Sequence, residues 1–178
     1  MLRYISFSIS IAIISWIVGL IINALLVKTS FYQKKLTNLI IIRNPAFSKR
    51  IGLGIFLWIV QNSFFRYFNP KLSIKKKIKI SELDNLRHEM TIAEVGHLIA
   101  FIFVMIFAIV KILNGQFLFA LIMMVINILL NLYPSLLQQE NKKRIDQFKI
   151  RLRSRPLASG TWKQSKAPLN NIVILKWS

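Results

Sequence analysis

A chain of 178 residues has the length of one domain, but 54% hydrophobic residues and a mean hydropathy of +0.52 are too apolar for a water-soluble one, so the class is integral membrane protein. The sequence contains no cysteine, which excludes disulfides, thiolate metal centres and cysteine nucleophiles. The net charge of +19 comes from basic residues that form no nucleic-acid motif. On a membrane protein it implies cytoplasmic retention of loops and attraction to anionic lipid headgroups, with no nucleic-acid partner.

A spanning helix needs about 20 apolar residues to cross roughly 30 Å of hydrocarbon. ISFSISIAIISWIVGLIINALLV, residues 5–27, meets that need with Asn23 as its one strongly polar side chain, and reads as an uncleaved anchor. IGLGIFLWIVQNSFF, residues 51–65, falls short of the length and carries Gln61 and Asn62. TIAEVGHLIAFIFVMIFAIVKIL at 91–113 and QFLFALIMMVINILLNLYPSLL at 116–137 are parted only by Asn114 and Gly115, which predicts a helical hairpin.

Lysine and arginine concentrate in segments 28–50, 66–92 and after 137, with one before the first span and one at the hairpin tip. The positive-inside bias places those three segments in the cytoplasm and the tip outside. Both flanks of residues 51–65 then lie on one side. That run is re-entrant or interfacial, with Trp58, Phe64, Phe65 and Tyr67 at the membrane boundary and Arg66 beyond. The expected topology is three spans with the N-terminus out and the C-terminus in; four spans with a weak second helix is the alternative. The architecture is thus an all-α integral membrane protein of three to four membrane helices, multi-pass in the cell membrane. A single membrane domain covers 1–150. A basic cytoplasmic tail covers 151–178, where Pro156, Gly160 and Pro168 read as loop.

Both histidines fall in HEMTIAEVGH, residues 88–97, and the wider SELDNLRHEMTIAEVGH holds four of the six acids. Two antiparallel helices of equal rise joined near residue 114 bring His97 opposite Asn131 and Glu94 opposite Pro134. Glu94 and His97, three apart, share a helix face. Asn127, Asn131, Pro134, Gln138 and Asn141 form one stripe on the partner helix, with a kink expected at Pro134. Asn127 and Asn131 read equally well as packing glue at ~1 kcal/mol. Ionisable groups inside a span are costly and mark a functional site, which singles out Glu94 and His97. His88, Glu89, Glu82 and Asp84 read as a solvated helix start whose acids complement the macrodipole.

HEMTI has Ile92 where a zinc H-E-x-x-H motif needs its second histidine, and E-x-x-H at 94–97 is only half of a di-iron site, so no metal is expected. GLGIF at 52–56 lacks the third glycine and flanking strand of a phosphate loop. Proton transfer remains. His97 can take a proton from an attacking hydroxyl and return it to a leaving group, with Glu94 orienting it, or Glu94 can itself be the base. Asn131, Gln138 and Tyr133 can polarise a carbonyl or hold a sugar hydroxyl. KKR at 142–144 is placed to attract phosphates of a nucleotide-bearing co-substrate, or serves only as positive-inside retention.

MTIAEVGHLIAF, residues 90–101, followed by NLYPSLLQQENKKRI, residues 131–145, resembles the glycosyl-4,4'-diaponeurosporenoate acyltransferase family, small membrane enzymes of staphyloxanthin-type carotenoid synthesis. The matching positions are Met90, Thr91, Ala93, Glu94, His97, Asn131, Tyr133, Pro134, Gln138, Asn141 and Arg144; the sequence departs from the pattern at Gln139, Glu140 and Lys143. The N-terminal half agrees only in plan: an anchor helix, a basic loop and an aromatic-rich stretch. The resemblance implies transfer of a fatty acyl group from an activated thioester, a co-substrate and not a bound cofactor, to a sugar hydroxyl on a glycosylated carotenoid or related lipid. His97 and Glu94 are then catalytic, and Asn131, Tyr133, Gln138, Asn141 and Arg144 bind substrate. The competing reading is a non-catalytic small membrane protein that binds lipid or scaffolds a biosynthetic complex, its polar stripe serving only to lock the hairpin.

Overall fold

A computed structural model describes residues 1–42, 44, 50–62, 71–72, 80–153 and 174–175. Helix α1 runs Leu2–Leu26 and is followed by a single π turn at Tyr32–Leu36. Helix α2 is Leu53–Asn62, α3 is Ile80–Leu113, α4 is Phe117–Asn127 and α5 is Tyr133–Arg153. A second π turn, Ile128–Leu132, joins α4 to α5 in one continuous rod. Lys71–Leu72 pairs antiparallel with Ile174–Leu175 in a two-residue ladder. Three helices are long and apolar enough to cross a membrane: Leu2–Leu26, Ser81–Leu113 and Phe117–Arg151. Helix α2, with 10 residues, reaches only about 15 Å, half the hydrocarbon thickness.

The anchor helix is more than an anchor. Its buried residues, Ser8, Ile11, Ala12, Ser15, Gly19 and Asn23, form a stripe of mainly small side chains at three- and four-residue spacing, the pattern that lets membrane helices approach closely. Gly19 sits at the crossing with α3, where a Cβ would stand 2.5 Å from the Gly96 carbonyl oxygen. One turn along, the Asn23 amide donates to the Ile92 carbonyl at 2.7 Å. Nearer the hairpin tip, α1 packs Ile11 against Val104, Ala108, Phe119 and Met123, and Tyr4 stacks on Phe119.

The hairpin turns at Asn114–Gly115 as the sequence predicts, with Gly115 at φ +70°, a left-handed conformation that costs glycine nothing. Helix α3 starts eleven residues before the predicted span, and at 34 residues it extends to about 51 Å, well beyond roughly 30 Å of hydrocarbon. The extra turns are tied to the equally extended α5 by ion pairs: Arg87 Nε lies 2.8 Å from Asp146, and Lys149 pairs with Asp84. The segment expected to be a solvated helix start does leave Glu82, Asp84, His88 and Glu89 exposed, with Glu82 in the first turn, and it also forms one side of a two-helix stalk.

Helix α2 lies against the start of α5. Leu53 and Val60 pack with Ile42, Leu136 and Leu137, and Phe56 contacts Tyr133. Ile55, Trp58 and Ile59 face outward and remain exposed, an apolar face suited to the headgroup boundary. Of the aromatic residues expected at that boundary, Phe64, Phe65 and Tyr67 lie outside the described residues, as does Arg66. Pro156, Gly160 and Pro168 in the tail do too.

Candidate active site

The hairpin register holds near the tip and slips below it. Asn127 of α4 donates to the Phe101 carbonyl at 3.0 Å, and Asn131 hydrogen-bonds the His97 imidazole, the pairing expected from equal rise. Glu94 was expected opposite Pro134 but meets Gln139 at 3.4 Å and Lys142 at 2.5 Å. Two physical causes combine. The π turn at Ile128–Leu132, closed by the Tyr133 N–H donating to the Ile128 carbonyl, takes up an extra residue, where the sequence predicted only a kink from the missing N–H of Pro134. Helical side chains also lean toward the N-terminus, so long Gln and Lys side chains cover a level one turn before their own Cα.

Two polar compartments result, one above the other along the α3/α4–α5 seam. The first surrounds His97. Its imidazole lies edge-on to Trp16 of α1, with ring centroids 6.4 Å apart, and is hydrogen-bonded to Asn131. Asn131 also accepts from the Trp16 indole N–H at 2.9 Å and donates to Asn127 at 2.8 Å and to Ser15 at 3.3 Å. Asn127, Asn131 and Ser15 are all fully buried.

The second compartment surrounds Glu94, whose side chain is 0% exposed and whose partner Lys142 is 5% exposed. Lys142 also donates to the Thr37 carbonyl, and Gln139 bridges Glu94, the Leu39 carbonyl and the Ile42 N–H. Lys143 donates to the Ile42 carbonyl, while Arg87 reaches Thr37. The strand of chain at 37–42 is thus strapped across the hairpin by the cations themselves. Tyr32, in the π turn after α1, is fully buried, and its hydroxyl has no hydrogen-bond partner among the described residues; the same holds for the Ser135 hydroxyl. Burial, with a further contribution from the Glu94 carboxylate, pushes the Tyr32 phenol up to about 12, so it stays a protonated donor.

This arrangement redirects several sequence-based assignments. Glu94 and His97 do share a face, but the carboxylate goes to Lys142 and Gln139, so the group orienting His97 is Asn131 and not Glu94. Asn131, expected to hold substrate, is occupied by protein partners throughout. Tyr133, also expected on substrate, donates its hydroxyl to the Ile51 carbonyl and anchors the approach to α2. Gln138 and Asn141 are buried and bonded to each other at 3.3 Å, with Asn141 also on the Met90 sulfur. Arg144 is partly exposed and lies 3.9 Å from Glu140 one turn earlier. Lys142 and Lys143, read as a phosphate lure, are tied down inside the protein.

Trp16, Ser15 and Tyr32 had no place in the sequence reading of the site, which gave Lys142 to a co-substrate phosphate and Gln139 only as a departure from the family pattern. Trp16 and Ser15 were hidden because α1 is apolar enough to read as a plain anchor. The small-residue stripe on α1 was the signal that could have brought its face to the hairpin.

Fold and site together define a small helical membrane protein with an ionisable centre buried between three long apolar helices. The sequence profile of the glycosyl-4,4'-diaponeurosporenoate acyltransferase family matches residues 28–151. The chain belongs to this family of acyltransferases of carotenoid biosynthesis. No curated protein and no solved structure matches it. The matched span contains α2, α3 and α4 whole and all of α5 but its last two residues, and excludes Ser15 and Trp16 of α1.

Proposed function

We propose that this protein moves a fatty acyl group from an activated thioester to a sugar hydroxyl of a glycosylated carotenoid at the cytoplasmic face of the cell membrane. The observation that carries this reading is His97 itself, an imidazole enclosed between α1, α3 and the π turn and held by an amide that orients it. A half-buried, oriented imidazole is the equipment of general acid–base catalysis. His97 takes the proton of the acceptor hydroxyl as its oxygen attacks the thioester carbonyl. The C–S bond then breaks, and the imidazolium returns the proton to the departing thiolate, giving ester and free thiol. The Tyr32 and Ser135 hydroxyls are the buried donors available to the acyl carbonyl or a sugar oxygen. Lys142, paired with Glu94, ties down Thr37, which follows the π turn that carries Tyr32.

The cytoplasmic placement rests on the lysines and arginines clustered in sequence at 28–50 and on Arg87 and Lys149 of the stalk, at the same end of the helices as Glu94. The scaffold reading draws on one observation, the full internal pairing of Asn131, which a purely structural seam would also display. Mass spectrometry of lipid and pigment extracts from cells that make the glycosylated acceptor, with and without the protein, separates the two. A mass increase equal to one fatty acyl residue supports acyl transfer; identical extracts favour the scaffold.

A further inference from the structure

From the direction of the hydrogen bonds around Asn131 we infer that Trp16 and Ser15 of α1 are positioning residues that fix which nitrogen of His97 carries its proton. This rests on the proposal that His97 is a general base, and adds how the base is kept in one tautomer and which part of the chain does so.

Each end of the network terminates in a group that can act in only one sense. An indole N–H can only donate, so the Trp16 contact at 2.9 Å identifies the Asn131 atom facing it as the carbonyl oxygen. The Ser15 hydroxyl gives its one proton to the Ala12 carbonyl at 2.6 Å, so toward Asn131 it can only accept. The Asn127 amide donates to the Phe101 carbonyl at 3.0 Å, which turns its own oxygen toward Asn131. Both amide hydrogens of Asn131 are therefore spent, one on Ser15 and one on Asn127. An amide has two hydrogens and two lone pairs. The remaining capacity of Asn131 is the second lone pair of Oδ1.

His97 hydrogen-bonds the Asn131 side chain, and with no amide hydrogen left to receive, it must be the donor. The ring nitrogen facing Asn131 carries the proton, and the lone pair lies on the other ring nitrogen. In a histidine base the tautomer is set by the bond that the second nitrogen makes, and a base held in the wrong tautomer loses most of its activity. The α1 face accordingly supplies direction to a site whose other members all lie within the family match.

The test uses full-length protein in lipid nanodiscs with 15N-labelled histidine and a His88→Gln background, so that His97 gives the only imidazole signals. The parent shows one neutral tautomer with a hydrogen-bonded N–H. Trp16→Phe combined with Ser15→Ala removes both α1 contacts while keeping an aromatic ring and a small residue in place, and leaves the Asn131 amide held only by the Asn127 carbonyl. The ratio of the two tautomers then moves by about tenfold, since two hydrogen bonds at a few-fold each are lost. Acyl-transfer kcat falls while KM holds. Asn131→Asp, whose carboxylate only accepts, keeps the parent tautomer.

A mixture of tautomers in the parent, or a single unchanged tautomer in the double variant, overturns the inference whatever the activity. A tautomer that responds as described in a protein showing no acyl transfer supports the hydrogen-bond assignment and sinks the acyltransferase proposal instead.

Discussion

Replacing Lys142 by methionine keeps the length of the side chain and removes its charge, leaving Glu94 buried with no cation at 2.5 Å. With side chains 5% and 0% exposed, solvent screens the pair very little. Breaking a buried pair from one side costs about 3–5 kcal/mol, because the surviving charge is left uncompensated. Neutralising both partners together removes that penalty. Glu94→Gln with Lys142→Met retains an acceptor for Gln139 and is expected within about 1 kcal/mol of the parent. For a chain of this size each kcal/mol shifts the melting temperature by about 2–4 °C, so the single variant melts roughly 6–20 °C lower and the double variant within a few degrees. Thermal unfolding in detergent micelles, followed by tryptophan fluorescence across the full double-mutant cycle, measures the coupling. A double variant that loses the sum of the two single losses would refute the reasoning, since the Glu94–Lys142 pair would then contribute nothing beyond its separate parts.

Gly19→Ala places a Cβ 2.5 Å from the Gly96 carbonyl oxygen. Overpacking of this kind costs typically 1–3 kcal/mol; the variant should melt lower and release the Asn23–Ile92 hydrogen bond, and an unchanged melting temperature would count against the close α1–α3 crossing. Tyr32 ionises near 12 where an ordinary phenol ionises at 10.0. The sign follows from its neutral form being the one favoured by the fold: its contribution to stability is complete below pH 10, declines above it as the unfolded chain deprotonates first, and is gone once the pH passes the folded value. Ultraviolet titration of the parent should show a late phenol step that Tyr32→Phe removes; a titration curve whose late part is unchanged in Tyr32→Phe would contradict it.

The sequence carried the fold through its coarsest signals. Three apolar runs, a two-residue break at Asn114–Gly115 and the pairing of His97 with Asn131 all follow from length and rise alone. What it hid follows from three physical facts. A π turn has no marker in composition, so the slip that brings Glu94 to Gln139 and Lys142 was invisible, and straight-helix register pointed to Pro134. A lysine beside two other basic residues looks solvated, and only the strap of chain at 37–42 shows why Lys142 is buried. Residues of α1 lie far from their hairpin partners in sequence, 69 positions for Asn23 and Ile92 and 115 for Trp16 and Asn131, and pairings so distant leave no local periodicity. Gln139, a departure from the expected family pattern, is the residue that joins Glu94 to the backbone at Leu39 and Ile42.

The central claim is that His97 moves the proton in an acyl transfer, and His97→Gln tests it most directly. The variant is compared with the parent at matched membrane levels, in cells that make the glycosylated carotenoid, by mass spectrometry of the pigment extract. A catalytic His97 predicts that the acylated species falls by at least about a hundredfold, the scale of a lost general base. Acylation persisting at the parent level in a correctly inserted His97→Gln protein would contradict the account.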